Sequence, residues 1–509
     1  MKQQKPLNKT FLYKWRYAIS YVAMVLVMML ILITTGLYAP SGISNSEVES
    51  AITSQELSIN NMFTGSRIID LPYRILQKAS ISTFGLSNFS VTFPSIFIAA
   101  VANLALFVLI SDWTNRRAAI LSTLIVIISS RYAFLAQYGT PIISHIGLSI
   151  ILVAILSRIT RKAEIISEKH ISKSKLTKWL RIELGLLVIA LFATIALTLY
   201  SPLGAFTVFI VIATMLFHPH VRSAFHKIRL LIPRWYYLIG ASLGLALLLP
   251  LATAGIKNPE VVSELFKINN FNFDLKENML SAARDFLDIR GTDHGIFIGP
   301  WFNLSALVLI LVGFWREVKT AYKPRSAMII MWVLSAAILA LFSTDSHIVL
   351  FTPLALSLSM GLNYIIKSWY SIFPRNPYAR ILGLIPIVLI ISSLVFVDIQ
   401  AYVDAYRYQP GVADRFHDDL GLLGHELAKS SGMILITEPD SDEQKFYQIF
   451  AISHPELMIA DKYSPGTNLR QVATRAAHAN LKNNEIDRIL ASPFLNQSDR
   501  FYVYKKSAI

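Results

Sequence analysis

The stretch Ala39-Pro-Ser-Gly-Ile-Ser-Asn-Ser-Glu-Val-Glu-Ser-Ala51 decides the fold: it ends an apolar run long enough to cross a bilayer and brings two carboxylates, Glu47 and Glu49. Ser44 or Ser46 can accept the unpaired amide hydrogens of a first helical turn, so a short helix is expected to start there. Further on, Asp70 precedes Pro72, and the helical pattern stops at Gly85. That spacing predicts a second helix, with proline tolerated in its first turn. The loop 39–93 therefore reads as two surface helices at the mouth of a membrane domain. A carboxylate held there is the first place to look for chemistry.

The whole sequence agrees with a membrane reading. Of 509 residues, 54% are hydrophobic and only 16% charged, and mean hydropathy is +0.50. A soluble protein carries about a quarter charged residues. Apolar runs near 17–38, 94–111, 118–132, 141–156, 182–200, 203–217, 236–254, 297–314, 327–342, 348–366 and 381–396 predict about eleven transmembrane helices. The third and fourth are short and are expected to form a broken pair near the outer surface. Cysteine is absent, which excludes disulfides and thiolate chemistry.

The net charge of +15 does not point to nucleic acid, because the basic residues cluster in short loops. With the N-terminus inside, segments 1–16, 112–117, 157–181, 218–234, 315–326 and 367–380 hold 26 Lys and Arg, against 8 in 39–93, 257–296 and 343–347. Such asymmetry fixes a multi-pass protein of the plasma (inner) membrane with a cytoplasmic N-terminus and an extracytoplasmic C-terminus. His218, His220 and His226 fall in a cytoplasmic basic loop and are read as headgroup contacts. Trp301, Trp332, Trp369 and Tyr370 are read as interface anchors.

Two domains are expected: 1–398, the transmembrane domain, and 399–509, a small α/β extracytoplasmic domain. In the latter, 432–437 reads as a buried strand, 443–459 as a helix and 500–504 as a strand beside 432–437. No internal repeat or nucleotide-binding glycine motif is present, so ATP-driven transport has no support.

An ordered set of short motifs runs through the first third of the chain. Ser46-Glu47, Leu71-Pro72-Tyr73, Phe84-Gly85, Val91-Thr92-Phe93-Pro94-Ser95 and Arg116-Arg117-Ala118-Ala119 follow one another. In this order and spacing the chain resembles the GT-C superfamily of polytopic glycosyltransferases. The likeness is nearest to the branch of the lipid A aminoarabinose transferases and protein O-mannosyltransferases. Two departures stand out. Ser46 holds the place of the family's usual first Asp, and Ala136-Gln-Tyr-Gly-Thr-Pro-Ile142 lacks the further acid usual after the third span. His347 stands where the family places a basic residue before a later span.

The resemblance implies an enzyme that moves a sugar from a polyprenyl-phosphate donor to an envelope lipid, glycan or protein. Its partners are that lipid-linked sugar, the acceptor and membrane lipids, with no nucleic acid. Glu47 is then the expected general base, since it is positioned by the motif and a carboxylate can take the acceptor's proton. Its bland role is a charge favoured near a helix N-terminus. Glu49, two residues on, points elsewhere on a helix. Arg131, Arg290, His294 and His347 are the candidate cations for the lipid phosphate, with Arg67 and Arg74 behind them. The sequence names no certain cofactor and leaves the need for a divalent metal open. A divalent metal enters only through Asp345 and His347, which lack the third ligand of a catalytic zinc site. The rival is a scaffold or a lipid or polysaccharide transporter that keeps the fold without the chemistry.

Overall fold

A computed structural model describes residues 11–39, 42–58, 66–168, 175–287, 300–372, 377–404, 415–464, 467–481, 485–492 and 499–505. The chain begins with α1 (Phe11–Leu37), β1 (Ile43–Ser44), α2 (Asn45–Gln55), α3 (Leu71–Phe84) and α4 (Asn88–Trp113). The start of α2 is a reciprocal cap: the Glu47 amide donates to Ser44 Oγ, and the Glu47 side chain reaches back to the Ser44 amide. Of the two serines, Ser44 is the cap. Helix α3 ends where expected, at Gly85 with φ of 72°, a left-handed backbone that glycine takes without strain.

The third apolar run breaks. Helices α5 (Arg116–Ile128) and α6 (Ser130–Gln137) are bent by 69°, with Ser129 extended between them. Every residue of α6 is buried, which carries Arg131 into the interior. Next come α7 (Ile142–Glu168), α8 (Lys175–Thr198), α9 (Gly204–Phe217), α10 (Pro219–Leu231), α11 (Arg234–Lys257), α12 (Pro259–Leu265) and α13 (Leu275–Leu287). After them α14 (Leu304–Lys319), α15 (Pro324–Phe342), α16 (Ile348–Ile372) and α17 (Pro377–Val403) complete the helical body.

Among the described residues, seven helices are long and apolar enough to cross a membrane, or up to nine if each of two bent pairs is one span. The chain is thus a multi-pass membrane protein. The expected count of eleven is not reached by this measure. The third and sixth runs lie in the bent pairs, α14 has only 16 residues, and 388–403 of α17 is a shorter apolar helix. Helices α14 and α16 touch backbone to backbone at Gly313 and Gly361. A Cβ at either would fall on a carbonyl oxygen of the facing helix, the close approach that small residues permit in lipid.

Trp332 and Trp301 are 1% and 5% exposed, so they are interior residues rather than interface anchors. The first is packed on α15, and the second is covered by Arg131.

The tail forms β2 (Phe416–His417), α18 (Asp419–Leu427), β3 (Met433–Ile436), α19 (Asp442–Ser453), β4 (Leu457–Ala460), β5 (Arg470–Thr474), α20 (Arg475–His478), β6 (Ile486–Ala491) and β7 (Asp499–Tyr504). The five-stranded sheet has the order β4-β3-β5-β7-β6. The strands expected at 432–437 and 500–504 exist, but β5 lies between them, parallel to β3 and antiparallel to β7. The expected helix 443–459 ends at Ser453, and 457–460 is the edge strand β4. Strand β2 pairs with β1, and one core joins Ala51, Ile52, Ile81 and Val91 to Leu423, Met433, Phe446, Val472 and Phe501. The tail is therefore moored on the surface helices. We propose that the division between 1–398 and 399–509 marks a change of architecture, across which this core continues.

Inside the tail, Glu426 is 1% exposed and accepts hydrogen bonds from both Arg470 and Arg488. Removing one member of a buried ion set costs about 3–5 kcal/mol, and the partial exposure of both arginines puts this case at the lower end. Glu426→Ala is expected to lower the melting temperature of the tail and open it to protease, while β1 and α2 keep their own helix-cap bonds.

Candidate active site

One set of helix ends encloses a cavity of about 560 Å³. Its wall brings together Asp70 and Arg74 from the start of α3, Arg131 from α6, His145 from α7 and Ser201 from the α8–α9 link. Glu264, Lys267, Asp285, Trp301, Asp345 and His347 complete the polar lining.

Two carboxylates organise the chamber. Asp285 Oδ1 accepts a hydrogen bond from Arg131 Nη2 at 3.1 Å, and its Oδ2 lies 2.6 Å from His347 Nδ1. The Arg131 guanidinium lies over the Trp301 ring, 4.7 Å from its centroid. Burial works against the charge of Asp285, but the hydrogen bond from His347 and the charge of Arg131 outweigh it and hold the carboxyl below its ordinary value.

Asp70 stands at the cap position of α3 but does not cap it with its side chain; its backbone is left-handed, at φ 55°. The turn is fixed from afar, because the Asp70 amide donates to the Tyr200 carbonyl at 2.9 Å. Aspartate tolerates this conformation better than most residues. Burial raises its carboxyl to about 7, against the lowering influence of Arg74 and Ser201. Burial likewise lowers Arg74 from its ordinary value.

The chamber is unusually poor in internal hydrogen bonds for its polarity. Asp70 Oδ1, Arg74 Nε and Nη1, His145 Nδ1, Trp301 Nε1 and His347 Nε2 are buried atoms with no hydrogen-bond partner among the described residues. Buried polar groups are nearly always paired, and a cluster of exceptions calls for a ligand or ordered water. All five residues line the same space.

The sequence candidates fare unequally. Arg131 and His347 meet at Asp285. Arg290 and His294 lie outside the described residues. Glu47 does not line the chamber. It is 2% exposed, its Oε1 accepts the Gly139 amide at 2.6 Å, and its Oε2 accepts the Ser44 amide at 2.9 Å. Through these bonds Glu47 ties α2 to the turn after α6. Glu49 lines a separate groove of about 390 Å³ against the tail, with Asp419 and Arg500. Asp345 is held by Asn270 at 2.6 Å and Lys267 at 3.5 Å, so it does not share a ligand set with His347. Among the described residues no group of three His, Asp or Glu could hold a metal.

Sequence reasoning missed Asp70 and Asp285 as site residues. The first was legible only as a helix start. The second is one carboxylate in a mixed polar loop. A signal existed for Asp70, in that an acid directly before a proline-bearing helix on the outer side could have been weighed beside Glu47.

No family model and no curated protein sequence matches the chain. Solved structures do. ArnT from Cupriavidus metallidurans in the apo state matches with a TM-score of 0.53 at 12% identity, covering 97% of this chain and 99% of that one. An Archaeoglobus fulgidus oligosaccharyltransferase tethered to an acceptor peptide matches with a TM-score of 0.50 at 12% identity, covering 97% and 75%. At such identity the likeness is one of fold, and it runs the length of the chain. The chain shares the fold of these two structures, in keeping with the fold that the ordered motifs imply.

Proposed function

We propose that the chain is a membrane glycosyltransferase. It takes a sugar from a polyprenyl phosphate on the extracytoplasmic side and passes it to an envelope lipid, glycan or protein. The observation that carries this is the chamber, where a buried carboxylate, an arginine and two imidazoles each keep a polar atom without a hydrogen-bond partner among the described residues.

The proposed chemistry is a single displacement. The acceptor hydroxyl or amine attacks the anomeric carbon, and its proton passes to Asp70. The bond from that carbon to the phosphate oxygen breaks with inversion. The polyprenyl phosphate leaves with the extra negative charge. Arg131, Arg74 and His347 meet that charge at the edge of a low-dielectric layer, where it is costly unpaired. Asp285 is a positioning residue, since it fixes Arg131 and turns His347 Nε2 away from itself. Asp70 replaces Glu47 as the proposed base, because it alone of the two faces the chamber.

The test is transfer from a polyprenyl-phosphate sugar in membranes holding wild type or His347→Ala. Loss of a charge-assisted bond worth about 1.5–3 kcal/mol should weaken donor use roughly 10- to 150-fold. Wild type that transfers from no donor would favour the scaffold reading. That reading has one observation behind it: at Gly139, after the third span, a backbone amide meets Glu47 where the family carries a further acid. Sidedness has its own check. A reporter active only in the cytoplasm should be silent after Ile509 and active within 160–178, and the reverse would put the chamber on the wrong side for this donor.

A further inference from the structure

Helix α7 runs from the chamber, and at its far end a second cavity, of about 490 Å³, opens between the α4–α5 turn, α7 and α8. Its charged lining is Asp112 against Arg116, Arg158, Arg161 and Lys162. The Asp112 side chain is 2% exposed; its Oδ2 lies 2.9 Å from Arg158 Nε, and its Oδ1 takes a bond from Arg161 Nη1. Lys162 is paired with Glu183 of α8, and Arg116 lies over the Tyr21 ring.

Three cations within one turn of α7 repel one another, and they fall inside a stretch long and apolar enough to span, 142–166. A topology signal needs only lysine and arginine in the loops. It does not call for a buried carboxylate that holds two guanidinium groups side by side within a span. Asp112 accepts one N–H from Arg161 and is ion-paired with Arg158, and a guanidinium carries five N–H groups in a fork that fits phosphate. One carboxylate between two arginines also leaves the pair positive. A neighbouring cavity of about 420 Å³ shares Asp112 and Arg161, carries Glu164, His220, Lys323 and Arg325 besides, and has one apolar side of Val153, Leu156, Val221, Ala224 and Met328. A largely cationic rim beside that apolar side fits a molecule with a phosphate at one end and a hydrocarbon chain at the other.

We propose that these joined cavities bind one anionic phospholipid of the inner leaflet, its phosphate on Arg158 and Arg161 and one chain along the Val153–Met328 wall. The site is separate from the outer chamber and its chemistry, and the negative surface of that leaflet would supply the occupant.

The experiment is native mass spectrometry of the full chain equilibrated with phosphatidylglycerol or phosphatidylcholine. Wild type should retain one phosphatidylglycerol in preference to phosphatidylcholine. Arg158→Gln with Arg161→Gln should weaken that retention about thirtyfold, at about fivefold for each cation near the surface. Lys227→Gln with Arg229→Gln, exposed cations of the same face, should leave it unchanged. Soluble glycerophosphate should fail to displace the lipid, because it lacks the chain. Equal retention of the two lipids, equal retention by the arginine variant, or full displacement by glycerophosphate would each overturn the proposal. If the double variant does not fold, Arg116→Gln is the milder substitution, and the wild-type choice between the two lipids still decides.

Discussion

Asp70→Asn is expected to cut sugar transfer about 100- to 10,000-fold, the usual contribution of a general base, with little change in expression. Asparagine also accepts the left-handed backbone that Asp70 adopts, so the turn made by the Tyr200 carbonyl survives the change. The pH profile separates chemistry from folding. Burial raises the Asp70 carboxyl to about 7, and the base must be ionised to take a proton. Wild-type transfer should therefore climb as pH rises through about 7, and the residual activity of the variant should lack that limb. Stability runs the opposite way. A carboxyl raised in the folded state stabilises below its unfolded value and loses that contribution as pH rises through about 7. Asp70→Asn should then melt no lower than wild type at pH 8. Full transfer by Asp70→Asn would remove Asp70 from the mechanism.

Glu47→Ala is expected to damage the fold, leaving the chemistry of surviving molecules intact. It strands two buried amides, those of Ser44 and Gly139, at about 1–3 kcal/mol each. The cap of α2 goes as well, since Ser44 and Glu47 hold it reciprocally. A drop of about 2–6 kcal/mol from the amides alone should appear as a lower melting temperature and poor yield. Glu47→Gln retains an oxygen for one of the amides and should sit between the two. Burial, acting against the hydrogen bonds of Ser44 and Gly139, raises the Glu47 carboxyl to about 7. Wild type should therefore lose stability between about pH 4.5 and 7 through this group, and Glu47→Gln should lack that part of the slope. A stable Glu47→Gln protein with transfer reduced as strongly as in Asp70→Asn would return the base to Glu47.

Together the two variants test how the site was built. A carboxylate after the first span was legible from its motif, and the structure uses it to join α2 to Gly139. Asp70, the chamber carboxylate proposed as base, lies 23 residues further on, at a place where the sequence shows only a helix start.

The sequence by itself determined what depends on neighbours along the chain. Apolar runs of sufficient length have no other use for their backbone groups in lipid than a helix, so the helices could be placed from composition. The Ser44–Glu47 cap, the stop at Gly85 and the buried strand Met433–Ile436 need only a few consecutive residues, and each appeared where expected. Tertiary structure decided everything that joins distant segments. The insertion of β5 between β3 and β7 is a long-range pairing that strand patterns do not carry. The bend at Ser129 buries α6 on all sides and turns Arg131 inward. Asp70 is left-handed because the Tyr200 carbonyl takes its amide. Asp285 becomes a site residue only when Arg131, 154 positions earlier, and His347, 62 positions later, close on its two oxygens. A charge in a polar loop has no fixed partner until the helices are assembled; burial then makes leaving it unpaired too costly, and the assembled fold selects which residues meet.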